Sequence, residues 1–191
     1  MPSHADSLVD LALLRAVEPA DVSTVPIDQE VLILFDRCGP ALQRYVASLG
    51  LTTNESEDII QDVFLALFRH LRLGRPRTNL RGWLFQVAHN RALKHRGRTR
   101  RQHLWPPWDE TALPEPIDPA PDPEAQLAAR ERRRRLIWVV RSLPERDRRC
   151  LALRAEGLPY RDIAAVLGVS LGTVAKLLAR AMARLARADE R

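Results

Sequence analysis

A cluster of prolines divides this chain and limits the folds open to it. Seven prolines fall between Pro106 and Pro123. Proline lacks the backbone N–H that helices and sheets need, so a segment this rich in proline favours extended conformations. Residues 101–126 also carry one arginine against six acidic residues. We therefore predict a flexible acidic linker at 101–126, with a small module on each side.

Both modules are predicted to be helical. Strand-type alternation is scarce, and apolar residues recur instead at the spacing of helix faces. The predicted fold class is all-α, with one helical domain at 27–100 and a second at 127–187, joined by the flexible linker. Residues 1–26 form an N-terminal extension outside both domains.

The net charge alternates along the chain. It is −3 for residues 1–26, +5 for 27–100, −5 for 101–126 and +9 for 127–191. Two basic modules indicate a polyanionic partner, and nucleic acid is the first candidate. Cys38 and Cys150 are far apart and lack metal-binding neighbours, so no disulfide, metal or cofactor is predicted. Because no apolar stretch is long enough to span a bilayer, no membrane insertion is predicted and the expected location is the cytoplasm.

The first module contains two amphipathic helices. Asn54 and Glu57 predict a capping box at the start of one helix. Its apolar stripe is predicted to face a core and comprises Ile60, Val63, Phe64, Leu67 and Leu71. The other side of this helix presents Asp58, Gln61 and Asp62, which composition alone would assign to solvent. The second helix, at 80–98, is predicted to bury Trp83, Leu84, Val87 and Ala88.

The second module shows the pattern of a helix-turn-helix. Residues 160–185 read as two helices broken at 168–170, where Gly168 suits a left-handed helix end and Ser170 suits a helix cap. The second helix is predicted to bury an apolar stripe of Val174, Leu177, Leu178 and Ala181. The start of the second helix would enter the major groove and a later turn would approach a phosphate. The residues predicted to contact DNA are Ser170, Leu171, Gly172, Thr173, Lys176 and Arg180. Many two-helix corners share this spacing without binding DNA, and the net charge of +9 favours the DNA interpretation.

Several long motifs occur in one order along the chain. They are 57–65 (EDIIQDVFL), 80–92 (LRGWLFQVAHNRA), 143–146 (LPER), 157–164 (GLPYRDIA), 167–170 (LGVS) and 172–174 (GTV). Together they resemble the extracytoplasmic-function group of sigma factors, in the sigma-70 family, over most of residues 31–187. The resemblance implies a region 2 helical bundle and a region 4 helix-turn-helix.

The resemblance also implies partners and site residues. Asp58, Gln61 and Asp62 would bind core RNA polymerase. The loop at 70–79 would receive a flipped base of promoter DNA, and the helix after it would lie along the melted strand. The residues that this implies on the helix are Arg81, Gln86, His89, Asn90 and Lys94. An anti-sigma factor is a further possible partner, and no catalytic residue or cofactor is implied.

The chain departs from the family pattern on two helices that would contact promoter DNA. The recognition helix has Ala175, Lys176, Leu177, Ala179 and Met182 at positions that are commonly polar in the family. Lys94 stands where an acidic residue is common. The bases preferred by either helix therefore cannot be transferred from the family.

Two other functions remain possible on sequence grounds. One is a helix-turn-helix transcription regulator that never binds core polymerase; the Gln61-Asp62 face argues against it. The other is a nucleic-acid enzyme that uses Asp58, Asp62 and histidines around a metal. His89 and His95 lie six residues apart and so do not share a helix face, which argues against the enzyme.

Overall fold

A computed structural model of the protein describes residues 25–99 and 123–189. The first range contains α1 (Ile27–Ser48), α2 (Thr53–Arg72) and α3 (Leu80–Thr99), and the second contains α4 (Pro123–Ser142), α5 (Glu145–Ala155), α6 (Tyr160–Leu167) and α7 (Leu171–Asp189). Neither range contains a strand, which confirms the all-α class. The predicted extension up to residue 24 and the predicted linker from 101 to 122 lie outside the described residues.

The capping box of α2 lies two residues before its predicted position. The Glu55 backbone N–H donates to the Thr52 hydroxyl over 3.3 Å, and the Thr52 N–H donates to the Glu55 carboxylate over 2.9 Å. The assignment to Asn54 and Glu57 was therefore wrong, because Thr52 is the residue with the extended backbone of a cap. The predicted apolar stripe of α2 is buried as expected.

Helix α3 buries a wider face than its apolar residues predicted. Leu84 and Ala88 are buried as expected, whereas Trp83 and Val87 are only partly buried. Phe85 and His89 are buried instead. The buried face is wider because α3 contacts α1 and α2 of its own module and also α6 of the second module.

The second module begins earlier than predicted. Helix α4 starts at Pro123, four residues before the predicted boundary at 127. Proline suits the first turn of a helix, where a backbone N–H has no partner within the helix. Pro159 caps α6 and precedes its first residue, Tyr160.

The two modules pack against each other. Helix α3 contacts α6, and α1 contacts α5. Buried side chains from both modules, including Phe85 and Ile163, form one continuous cluster. The sequence pattern, which predicted a flexible linker, did not indicate that the two modules pack against each other.

Candidate functional site

The polar residues predicted on α2 lie on one exposed face. Asp58, Gln61 and Asp62 are all exposed. Asp62 forms an ion pair with Arg91 of α3, so one of the two carboxylates is already held in place within the module. The side chains of Asp58 and Gln61 are exposed to solvent, where a partner could reach them.

This acidic face adjoins exposed apolar side chains that sequence reasoning missed. Leu65, one turn after Gln61 and Asp62, is 47% exposed. On α1, Leu32 is 63% and Phe35 45% exposed, and the Phe35 ring packs edge-on against Phe64 of α2 at 4.9 Å. The signal was the three-residue spacing of Leu32 and Phe35 on one helix face. Carboxylates beside exposed apolar groups are typical of a surface that binds protein.

Three of the residues predicted on α3 form a polar stripe. Gln86, Asn90 and Lys94 are exposed and recur every four residues, which places them on one side of the helix. Arg81 is also exposed, but its guanidinium donates to the backbone carbonyl of Glu156 in the second module. The stripe presents two side-chain amides and one amine to a molecule that binds along α3.

His89 does not belong to this stripe, and its assignment to DNA was wrong. Its side chain is 4% exposed. Its Nδ1 lies 2.7 Å from the Tyr45 hydroxyl of α1. Burial raises the pKa of the Tyr45 phenol, so the hydroxyl keeps its proton and shares a hydrogen bond with a neutral imidazole. His89 is therefore a core residue that joins α1 to α3.

The stability of the protein is expected to depend on pH through His89. Burial, and secondarily the charge of Arg149, lowers its pKa from 6.5 to about 4. Between these values the unfolded chain binds a proton that the folded chain does not. The free energy of unfolding therefore has its full contribution from neutral His89 above about pH 6.5. It falls by about 3 kcal/mol as the pH drops to about 4. Urea unfolding between pH 4 and pH 7 measures this dependence. In His89→Gln the free energy of unfolding should change less with pH over this range. If its pH dependence matches that of the wild type, His89 is not the group responsible.

Asn79 fixes the loop that precedes α3. Its backbone has a φ of +55°, in the left-handed region. Its Oδ1 accepts from the Gly82 N–H over 3.1 Å and so caps the first turn of α3. Its Nδ2 donates to Asp162 of α6 over 2.8 Å. The end of the predicted base-receiving loop is thus held by a helix cap and by the second module.

Gly82→Ala is expected to destabilise the protein. A Cβ at Gly82 would lie 2.5 Å from Asn79 Nδ2, so the capping side chain would have to move. Loss of a helix cap costs about 1 kcal/mol, and here a contact between the modules is lost with it. Gly97→Ala is the matched control on the same helix, because nothing lies within 4 Å of its added Cβ. The free energy of unfolding in urea should be lower than in the wild type for Gly82→Ala and should not fall for Gly97→Ala. Equal decreases in both variants would exclude the steric explanation.

The break between α6 and α7 has helix-turn-helix geometry. The two helices meet at an angle of 100°. Gly168 ends α6 with φ +64° and ψ +39°, the predicted left-handed conformation. The Thr173 N–H donates to Ser170 Oγ over 3.2 Å, so Ser170 caps α7 as predicted. The stripe predicted for α7 is buried, including Leu177, whose position in the core explains why it is not polar.

The start of α7 is open to solvent. Ser170, Leu171, Gly172 and Lys176 are exposed, and Thr173 is half-buried. Ser170 Oγ and Thr173 Oγ1 lie 2.9 Å apart, so these two hydroxyls pair with each other. Lys176 is the one cation among the residues predicted to enter the major groove at the start of α7.

Arg180 has a structural partner that was not predicted. Its Nε and Nη2 donate to the two carboxylate oxygens of Asp147 in α5, each over 2.5 Å. The Asp147 side chain is fully buried, whereas that of Arg180 is 54% exposed. This pairing raises the pKa of the guanidinium. The structure thus gives Arg180 a role within the second module, to neutralise a buried carboxylate, and its contact with a phosphate stays a prediction.

Neither metal-site nor membrane-span geometry is found in the two described ranges. No group of three His, Cys, Asp or Glu side chains there could hold a metal ion. No single helix there is long and apolar enough to cross a membrane; only the bent pair α6 and α7 reaches that length and composition together.

Two family models match this chain in the order expected from the motifs. The Sigma-70 region 2 model matches residues 34–102, and the Sigma-70 region 4 model matches residues 133–185. The first match covers α1 from residue 34 onward, α2 and α3, and the second covers the last half of α4, α5 and the helix-turn-helix up to residue 185.

Two curated relatives are identical to this chain at about a third of the residues that align. It is 34% identical over 150 residues to the ECF RNA polymerase sigma factor SigE of Mycolicibacterium smegmatis, which covers 74% of this chain and 54% of SigE. It is 31% identical over 157 residues to the RNA polymerase sigma factor CnrH of Cupriavidus metallidurans, which covers 80% of this chain and 82% of CnrH. The chain therefore spans about half of SigE and most of CnrH.

Two solved structures share the fold. One is CnrH in complex with the cytosolic domain of CnrY, with a TM-score of 0.54 and 25% identity, covering 82% of this chain and 85% of that chain. The other is the sigma factor RpoE in complex with the anti-sigma factor NepR from Bartonella quintana. Its TM-score is 0.54 with 26% identity, covering 84% of this chain and 94% of that chain.

Proposed function

Because the chain belongs to the extracytoplasmic-function group of the sigma-70 family, we propose which of its surfaces bind RNA polymerase and which bind promoter DNA. It is a sigma factor, which binds core polymerase and directs promoter recognition, melting and initiation. We assign region 2 to residues 27–100, a linker to 101–126 and region 4 to 127–187. Helix α4 supports moving the start of region 4 back to Pro123.

The face of α2 is proposed to bind core polymerase. One observation carries this proposal: a protein of net charge +6 presents Asp58 and Asp62 beside exposed Leu65. DNA would be repelled by these carboxylates, whereas a basic protein surface with apolar side chains would complement them. We infer that this face binds the polymerase through charge and through the neighbouring apolar groups Leu32 and Phe35.

Promoter DNA is proposed to contact α3 and α7. Gln86, Asn90 and Lys94 provide donors along one side of α3, which suits a single strand whose bases have been unstacked. The start of α7 enters the major groove through Ser170, Leu171, Gly172, Thr173 and Lys176. We infer that the polymerase, and not this chain, makes and breaks the bonds of the RNA product. We infer that it acts in the cytoplasm, where polymerase and promoters are found.

Lys176→Ala is expected to change which promoters are used. An amine in the major groove reads the acceptors of guanine, and its loss costs about 1–3 kcal/mol at that base pair. The measurement is binding of the holoenzyme to a library of duplexes that vary in the upstream element. The variant holoenzyme should discriminate less between bases at one or two base pairs of the upstream element. A uniform loss across all duplexes would instead indicate that Lys176 contacts a phosphate.

An anti-sigma protein is proposed as a further partner. The solved structure of RpoE contains the anti-sigma factor NepR, and that of CnrH contains the cytosolic domain of CnrY. This proposal is separate from the assignment of the polymerase-binding and DNA-binding surfaces.

Run-off transcription tests the function directly. Core polymerase is mixed with the purified chain and a library of duplex promoters, and the transcripts are sequenced. We expect transcripts that begin at a fixed distance from a shared pair of promoter elements. If the core enzyme initiates no better with the chain than alone, the proposed roles of these surfaces fail.

A further inference from the structure

The loop between α2 and α3 begins with an ordered turn. Helix α2 extends to Arg72, so the loop proper is residues 73–79. Gly74 has a φ of +63°, and its N–H donates to the Leu71 carbonyl over 3.0 Å. The Arg75 N–H donates to the His70 carbonyl over 3.3 Å. These two hydrogen bonds form a Schellman motif, which fixes the path of the first half of the loop.

The side chain of His70 holds the second half of the loop. Its Nε2 lies 2.9 Å from the backbone carbonyl oxygen of Pro76. Because a carbonyl oxygen can only accept, Nε2 carries a proton and donates it to this bond. The imidazole ring also packs against Trp83 of α3, with centroids 4.7 Å apart and planes inclined by 43°. Trp83 in turn packs against the buried cluster. His70 therefore joins the end of α2 to the loop and to α3.

Two further contacts hold residues close to Pro76. Arg77 Nη2 lies 3.6 Å from Glu30 Oε2 of α1, and Glu30 is only 8% exposed. Asn79 caps the first turn of α3. Three helices therefore hold the second half of the loop through Pro76, Arg77 and Asn79. A short loop that is held at three positions keeps one shape without a ligand.

A fixed shape matters for a loop that receives an extruded base. Extrusion costs a few kcal/mol of unstacking, which contacts in the receiving site must offset. A loop that already has the receiving shape loses less conformational entropy when the base enters. We propose that His70 is a positioning residue, which holds the 73–79 loop in its base-receiving shape before DNA is bound. The effect on DNA rests on the proposed function, whereas the ordering of the loop by His70 does not.

The first measurement is base discrimination by the holoenzyme. Binding is compared on duplex promoters that carry each of the four bases at each position of the melted element, and 2-aminopurine fluorescence identifies the flipped position. His70→Phe keeps an aromatic ring against Trp83 and removes the donor to Pro76. Discrimination at the flipped position should fall by about 3- to 10-fold, the contribution of one hydrogen bond, and other positions should be unchanged. His70→Gln retains an amide donor and should discriminate like the wild type.

The second measurement is hydrogen exchange of the free chain, followed by mass spectrometry. Peptides that cover residues 73–79 should exchange faster in His70→Phe than in the wild type, and at the wild-type rate in His70→Gln. Arg69→Ala is the matched control, because it removes an exposed side chain one residue earlier on α2 and should change neither measurement. His70→Ala should show both effects of His70→Phe, which covers the case that His70→Phe fails to fold.

The outcomes separate this proposal from the proposed function. Positioning by His70 is refuted if His70→Phe and His70→Ala both leave the exchange of the loop unchanged. It is also refuted if these variants discriminate like the wild type, or if discrimination falls equally at every position. A loss in His70→Gln as large as in His70→Phe would exclude the hydrogen bond to Pro76 as the cause. If the wild-type holoenzyme itself does not discriminate between bases in this element, the proposed function fails and the exchange result is unaffected.

Discussion

Asp62→Arg is expected to reduce retention of the protein on immobilised core polymerase by on the order of 100-fold. Reversing a charge at the centre of a complementary interface replaces attraction by repulsion, which costs several kcal/mol. The Asp62 side chain is 57% exposed and lies between Asp58 and Leu65 on the face proposed to bind polymerase. Run-off transcription should fall in proportion to retention.

Arg91→Ala is the control that this experiment needs. Asp62 pairs with Arg91 inside region 2, so Asp62→Arg also breaks an internal ion pair. An ion pair this exposed contributes little to stability, about 0–1 kcal/mol. Arg91→Ala breaks the same pair and leaves the acidic face intact, so it should be retained. Equal losses for both variants would attribute the effect to the ion pair. Full retention of both would refute the α2 face as the polymerase-binding surface, and no retention of the wild type itself would favour a regulator that acts without core polymerase.

Arg180→Ala is expected to lower the melting temperature by on the order of 10 °C. Without the arginine, the fully buried carboxylate of Asp147 has lost its bidentate partner, and a buried charge without a partner is strongly destabilising. A phosphate contact alone would instead weaken DNA binding uniformly across sequences and leave the melting temperature unchanged. Thermal unfolding followed by circular dichroism distinguishes the two roles.

Two variants sharpen the Arg180 experiment. Arg187→Ala removes an exposed arginine two turns later on α7 and should leave the melting temperature unchanged. Asp147→Asn should be milder than Arg180→Ala, since it leaves a guanidinium that is already half exposed to water. If Arg180→Ala melts like the wild type and weakens DNA binding with a reduced salt slope, the phosphate role is restored.

Local sequence patterns predicted the helices and their caps well. The left-handed Gly168, the cap by Ser170 and the buried stripe of α7 depend on neighbours within a few residues, and all three were confirmed. The exposure of Asp58, Gln61 and Asp62 followed from the position of the buried stripe of α2 in the same way. The capping box of α2 was misplaced because Thr52 and Asn54 are both good caps, and only the backbone conformation separates them.

The contacts that sequence patterns missed depend on distant partners. His89 continues the buried row of Phe85, Ala88 and Ala92 on α3, so its spacing did carry a signal, but its polarity suggested solvent. Its partner Tyr45 is 44 residues away. Arg180 and Asp147 are 33 residues apart. No periodicity relates residues on different helices, so such pairs require the fold.

The shared buried cluster of the two modules affects how the protein should be dissected. Sigma regions are convenient to express one at a time, but here a cut in the linker would uncover the apolar surface where α3 meets α6 and α1 meets α5. Tyr45 and His89 lie close to Arg149 of the second module, so their environment would change as well. An isolated fragment would then be less stable and more prone to aggregate than the same residues in the intact chain. Affinities measured on fragments would describe modules that no longer contact each other.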